Sequence, residues 1–389
     1  MTFAIWLRET LSVCAFSLGS LRFRMQPAVI AVIGFAGVVL VFIGLLSIRA
    51  GLSAVWAHTG SDDVAIVSKD GPGMLGLDAV RTIGQAPGVL QGAHGAVAMG
   101  DMVTSAKLHK PTGDLADVTM RGVGPLADQI WRKWHLVAGR TFKSGIDEVV
   151  VGRMAAREFP ELALGHTFKW NHHAWKVVGI FASGGDMHES EIWTDIHDLQ
   201  SAYNAGNTFS AVYVRLTSAG VFDGFKKWLK SNPQLGVAVD RESTFFREQS
   251  KSISSFIGII GGIVALLMGI GAVFGALNTM YAAVSARTRE IATLRALGFN
   301  RSPVVLSVIA EALALGLAGG AAASALGYLL FNGFQASTIG NGGVLAFSFA
   351  VTPMLLATGM SYALLMGLVG GLFPAIRAAR LPVATALRD

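Results

Sequence analysis

Cysteine is nearly absent from this 389-residue chain: Cys14 is the only one, so no disulfide can form within it. The stretch 50–250 contains none, which is compatible with an oxidising compartment. The short patterns behind common catalysis are missing as well. No stretch fits G-x-x-x-x-G-K-[ST], so no ATPase site of its own is expected, and there is no H-E-x-x-H, no G-x-S-x-G and no Cys/His zinc ladder. His172-His173 and Asp186-Met-His188-Glu189-Ser-Glu191 come nearest to a metal-ligand set, but such residues are more often solvated loop groups. No catalytic, metal or cofactor-binding residue is assigned.

Charge is missing over long intervals. None occurs from Ser252 to Ala286, and after Glu311 none occurs until Arg377. A run of about 20 apolar residues suffices to cross a bilayer. With 52% hydrophobic residues and a mean hydropathy of +0.53, the chain should combine several spans with a polar domain. The formal charge of +6 does not mark a nucleic-acid surface. Residues 50–250 hold nineteen Lys/Arg against twenty-one Asp/Glu, and the remainder twelve against four, so the excess flanks apolar runs.

The pattern predicts an α+β membrane protein with four transmembrane helices and a large α+β extracytoplasmic domain between helices 1 and 2. Residues 1–24 read as a cytoplasmic interfacial helix, and 25–49 as the first span, longer and later than a cleaved signal peptide. Residues 50–250 form the external domain, of two lobes, with strands at 64–67, 148–151, 175–181 and 210–216. Helices are expected there at 76–86, 152–160, 195–204 and 219–231. Residues 251–286 make span 2 with a stalk: at 1.5 Å per residue the run is roughly 50 Å long against a hydrocarbon core of about 30 Å. A cytoplasmic helix at 287–301, span 3 at 302–331, an external polar hairpin at 332–352, span 4 at 353–373 and a cytoplasmic tail at 374–389 complete the order. Basic residues precede span 1, separate spans 2 and 3, and follow span 4, which puts both termini and the 287–301 loop on the cytoplasmic side.

Within this frame a few residues stand out. Gly258/Gly262 and Gly271/Gly275 make small faces suited to close helix packing, against the plainer reading that glycine is common in membrane helices. Glu311 is the sole carboxylate in an apolar run; near the cytoplasmic end it can reach the interface or pair with a loop arginine, and a proton relay is the alternative. In the loop, Ile291, Leu294 and Leu297 are spaced for one helical face that a partner could use. Gly298 suits a left-handed cap, and Ser302-Pro303 a helix start.

Arg287-Thr-Arg-Glu-Ile-Ala-Thr-Leu-Arg-Ala-Leu-Gly298, followed by Glu311-Ala-Leu and Gly316-Leu-Ala-Gly-Gly320, resembles the permease domain of MacB/FtsX-type ABC transporters. The tail Pro374-Ala-Ile-Arg-Ala-Ala-Arg-Leu-Pro382 resembles that family's C-terminal signature. Arg121-Gly-Val, Gly139-Arg-Thr-Phe142, Glu148-Val-Val-Val-Gly152 and Glu189-Ser-Glu-Ile-Trp193 resemble its periplasmic core domain. The resemblance implies an inner-membrane permease working by mechanotransmission, with a second permease copy or a sister permease and a separate ABC ATP-binding subunit that carries ATP and Mg. It makes Arg287, Glu290, Ile291, Leu294, Arg295 and Gly298 the ATPase-coupling residues, and Gly316 and Gly320 packing positions. It leaves open a periplasmic adaptor and outer-membrane channel, and whether the chain exports a substrate or, as some relatives do, regulates cell-wall hydrolases or senses antimicrobial peptides. A secondary transporter driven through Glu311 would need an inverted repeat, which four spans do not supply.

Overall fold

A computed structural model describes residues 10, 12–15, 17, 19, 25–93, 95–297, 300–340 and 343–380. The chain divides into two compact units: Met1–Ala50, Ser255–Phe334 and Phe349–Asp389 form a helical one, and Gly51–Ser254 with Gln335–Ser348 an α+β one.

Among the described residues the helical unit is built on α1 (Met25–His58) up to Ala50, α2 (Glu242–Ala286) from Ser255 onward, α3 (Thr288–Ala296), α4 (Arg301–Phe331) and α5 (Pro353–Ala379). All but α3 are long and apolar enough to cross a membrane. In α4 and α5 the glycines set the spacing. A Cβ on Gly316 would lie 2.8 Å from the Ala363 carbonyl oxygen, and one on Gly367 equally close to that of Ala312. Two backbones meet here with no side chain between them, which gives dispersion contacts that apolar bulk cannot supply in a lipid solvent. Gly320 likewise faces Ala363 and Met360, and Gly258 faces the Arg49 guanidinium. A Cβ on Gly262, Gly271 or Gly275 would meet nothing within 4 Å among the described residues.

Several boundaries differ from the sequence reading. Helix α1 runs on past Arg49 to His58 because Leu52, Val55 and Trp56 are buried within the α+β unit. Helix α2 starts at Glu242, well before the first apolar residues of the span. Helix α4 starts at Arg301, with Asn300 at its N-cap, ahead of the expected Ser302-Pro303. Proline in the first turn loses no helical hydrogen bond, so Pro303 allows the earlier start. Helix α5 continues through Pro374, whose ring is buried, to Ala379. The expected interfacial helix at 1–24 lies largely outside the described residues, and so does the 374–389 tail from position 381 onward.

The α+β unit carries a ten-stranded sheet. In chain order its strands are β1 (Val64–Lys69), β2 (Ala98–His109), β3 (Leu115–Val123), β4 (His135–Gly139), β5 (Glu148–Gly152), β6 (Thr167–Trp170), β7 (His173–Ala182), β8 (Ile192–Asp195), β9 (Ala211–Arg215) and β10 (Val237–Arg241). Their order in space is β10-β1-β9-β2-β3-β8-β5-β7-β4, with β6 on β7. Strand β2 is shared: Ala98–Asp101 pairs with β9 and Met102–His109 with β3. Glu148-Val-Val-Val-Gly152 is buried throughout, as a central strand covered on both faces must be. Gly152 is required there, since a Cβ would lie 2.2 Å from the Glu189 carbonyl oxygen. Helices Leu77–Gly84, Arg153–Glu158, Ile196–Ala202 and Phe222–Lys230 coincide with the four expected.

The 332–352 segment was read only as a polar hairpin. It contains β11 (Gln335–Gly340) and β12 (Gly343–Ser348), antiparallel, and they belong to the α+β unit. The Ser337 hydroxyl donates to Glu158 at 2.7 Å and accepts from Lys110 at 2.8 Å, while Lys110 and Glu158 pair at 3.1 Å. Alternation at Leu345 and Phe347, both buried, was the available signal.

One charged group organises the sheet interior. Arg121 on β3 is 4% exposed; its Nε and Nη2 donate to the Glu191 carboxylate at 2.8 and 2.7 Å, and Nη1 donates to Asp101. The guanidinium also lies over the rings of Trp131 and Tyr213. Two carboxylates share one cation in a dry interior, and burial pushes Asp101 up to about 6 despite Arg121.

Replacing Gly316 or Gly367 by Val should separate α4 from α5 and destabilise the detergent-solubilised chain by about 1–3 kcal/mol. Val at Gly275, where the added methyls meet open space, should leave the unfolding midpoint unchanged. Thermal unfolding followed by circular dichroism checks both.

Candidate coupling site

The helical unit brings three chain segments together at the start of α3. Arg287, the residue before that helix, is 8% exposed, and its Nη1 donates to Glu311 Oε2 on α4 at 3.0 Å. The same nitrogen donates to the Ser17 hydroxyl at 2.8 Å, and Nη2 reaches the Ser17 carbonyl oxygen at 3.4 Å. Ser17 in turn donates to Glu311 Oε2 at 3.2 Å. Glu311 is 3% exposed, so an unpaired carboxylate there would be costly, and the guanidinium with a hydroxyl beside it supplies the compensation. A cavity of about 40 Å³ adjoins the pair, lined among others by Val13, Glu290, Ile291 and Ser307.

The far end of α3 is tied down as well. Arg295 Nη1 donates to the Ala379 carbonyl oxygen at 3.1 Å, in the last turn of α5. Lysine and arginine are favourable near such a C-terminus, where carbonyls lack helical partners. Between the two ties, Ile291 and Ala292 are buried with Val284, Val304 and Val308. Helix α3 is therefore clamped at both ends and seated along its middle.

This changes which residues can meet a partner. Ile291 turns inward and is part of the core, so it is not available on the surface as the expected apolar triplet required. A helix lying on a bundle must bury one stripe, and the stripe through Ile291 and Ala292 is the one taken. Leu297 is 73% exposed, and Arg289, Glu290 and Thr293 are exposed beside it. The Leu294 side chain and Gly298 lie outside the described residues. Sequence reasoning missed Ser17 and the carbonyl tie of Arg295; neither has a local signal, since each partner is remote in the chain. Among the described residues no three His, Cys, Asp or Glu side chains converge as a metal set, and His173 pairs with Asp147 at 2.9 Å.

Residues 28–231 match the family model of the MacB-like periplasmic core domain, and residues 253–383 match the FtsX-like permease C-terminal model. The chain belongs to the MacB/FtsX-type ABC transporter permeases. It is similar to a Chlorobium luteolum protein named macrolide export ATP-binding/permease protein MacB, with 28% identity over 253 residues, covering 61% of this chain and 37% of that one. It is also similar to an uncharacterized ABC transporter permease of Methanocaldococcus jannaschii, with 25% identity over 232 residues and 58% of each chain covered. The chain thus spans about two-fifths to three-fifths of the length of these curated relatives. The crystal structure of the periplasmic region of MacB from Actinobacillus actinomycetemcomitans aligns with a TM-score of 0.37 and 15% identity, covering 48% of this chain and 92% of that one. The FtsX-like match contains both Arg287–Gly298 and Glu311.

Removing Arg287 alone should cost about 3–5 kcal/mol, because Glu311 is left buried and unpaired. The double variant Arg287→Met with Glu311→Leu should recover most of that loss. Denaturation of the purified chain, read as a double-mutant cycle, checks the coupling.

Proposed function

We propose that this chain is the membrane permease of an ABC transporter, which converts ATP hydrolysis by a separate ATP-binding subunit into movement of its α+β domain. It lies in the inner membrane with four spans, both termini and α3 in the cytoplasm and the α+β domain in the periplasm. The basic flanks of the apolar runs support that orientation. ATP and Mg belong to the partner subunit; this chain binds no cofactor and is not itself an enzyme. Its work is export or extraction of a substrate by mechanotransmission, with a second permease copy or a sister permease completing the membrane part. A periplasmic adaptor and an outer-membrane channel would extend the path outward.

The observation that carries this reading is the clamp on α3. A helix that only anchored topology would need basic residues and nothing more. Here Arg287 is bonded into α4 through Glu311, and Arg295 into the end of α5. A push on the exposed face is then passed to two spans as a rigid displacement rather than absorbed by a loose loop. Packed elements with paired charges move as bodies, which is the repertoire of hinge and shear transitions.

Leu297→Asp and Glu290→Arg change the exposed face without entering the core. In the chain reconstituted with its ATP-binding subunit, each should lower permease-dependent ATPase stimulation by about tenfold, equivalent to ~1.4 kcal/mol, with membrane insertion unchanged. Full stimulation in both variants would take α3 out of the mechanism.

A further inference from the structure

The α+β unit contains a buried histidine that the coupling mechanism does not use. His188 has no exposed surface, and its ring packs 5.2 Å from Trp131, 5.6 Å from Trp193 and 6.3 Å from Phe246, centroid to centroid. Its Nδ1 lies 3.3 Å from Asp186 Oδ2, a distance suited to an ion pair, yet neither ring nitrogen makes an aligned hydrogen bond among the described residues. Buried neutral imidazoles are normally held by such bonds. Opposite charge does lie beside the ring, since Asp186 is paired with it.

The surrounding groups can be taken element by element. On its own turn, Asp186 is 7% exposed and accepts from the Ser183 hydroxyl and the His188 amide, and Glu191 is bonded to Arg121. Glu189 is paired with Arg153. From β2 comes Asp101, from β3 Arg121, and from β9 Tyr213 and Arg215, the latter paired with Asp63. From α2 comes Glu242, 1% exposed, whose carboxylate accepts the Trp131 indole N–H at 2.8 Å and the Ser61 amide at 2.9 Å. Arg121 is taken by Asp101 and Glu191, and Arg215 by Asp63; among the described residues no arginine or lysine is paired with Asp186 or Glu242.

Glu242 is also the first residue of α2, and Phe246, one turn on, packs against both His188 and Trp56. A cavity of about 230 Å³ opens beside it, lined among others by Arg132, Lys133, Ser183, Asp186 and Arg215. The cavity gives water a route to the Glu242 and Asp186 carboxylates and gives the Glu242 side chain somewhere to go.

We propose that His188, set between Asp186 and Glu242, is a proton-binding site that holds the first turn of α2 in place while it is occupied. With the proton bound, the imidazolium offsets the two carboxylates and Glu242 stays on Trp131 and Ser61. When the proton leaves, Asp186 and Glu242 lose the cation between them, and Glu242 moves into the cavity toward Arg132 and Lys133, releasing the helix start. The direction of the titration agrees. Burial alone pulls His188 down, but Asp186 and Glu191 together hold it above its ordinary value; burial likewise raises Glu242. A group raised by folding contributes stability that is complete below its unfolded pKa, about 6.5 for histidine, and is lost as pH rises through the folded value. The latch is therefore closed in mild acid and opens toward alkaline pH. This site stands on the α+β unit alone and does not depend on the transport reading.

Hydrogen–deuterium exchange of the full chain in lipid nanodiscs tests it, reading amides 242–250 at about pH 6 and about pH 8.5 after correction for intrinsic rates. The wild type should lose at least about tenfold protection at the higher pH. His188→Gln should show the low protection at both values, and Glu242→Gln the high protection at both. A wild-type profile that does not change with pH overturns the proposal, as does an unaltered wild-type profile in the variants. If His188→Gln does not fold, Glu242→Gln decides the matter alone: a flat, protected profile supports the latch and the wild-type profile rejects it.

Discussion

A charge buried among apolar side chains must find its counter-charge where it is buried, and Glu311 shows what that requirement builds. Its carboxylate cannot be solvated where it sits, so Arg287 and Ser17 are brought to it from remote parts of the chain. The pair is worth little as a source of net stability, since desolvation consumes much of the attraction. Its value is positional. It fixes where α3 begins relative to α4, and the Arg295–Ala379 bond then fixes where α3 ends relative to α5. Remove the charge and the helix keeps the Arg295–Ala379 bond and the burial of Ile291 and Ala292, but its start loses the tie to α4.

The α+β unit follows the same rule with a different result. Arg121 meets two buried carboxylates, and two further buried carboxylates, Asp186 and Glu242, have no arginine or lysine paired with them among the described residues. Burial raises Asp101 despite Arg121, and Asp186 and Glu191 raise His188 against the burial that would lower it. In the helical unit the counting is one to one and the result is a rigid tie. In the α+β unit it is uneven and the result responds to pH.

Much of the secondary structure was legible because it depends on local pattern. The β-branched run at Glu148–Gly152, the four short helices and the four long apolar helices needed only periodicity, turn residues and length. Errors fell where neighbours override pattern. Helix α1 runs on to His58 because its last turns are covered by the α+β unit, and α2 starts at Glu242 because that carboxylate has buried partners waiting for it. The strands at 335–348 look polar in sequence, and only Lys110 and Glu158, far away in the chain, give Ser337 its place. The same limitation affected α3: spacing placed Ile291 and Leu297 on one face, and packing buried the first while leaving the second open.

Composition, the spacing of charge-free runs and the distribution of basic residues were enough for four apolar helices and a large α+β unit, and the motifs at 287–298 and 148–152 pointed by resemblance to the kinship of the chain. Those properties are sums over local stretches, and no partner has to be known to evaluate them. Which glycines bring two backbones together, which carboxylate Arg287 serves, and how many anions share Arg121 were decided only in three dimensions. Pairing energies depend on distance and burial, and both are set by residues hundreds of positions apart, as Ser17 and Glu311 are.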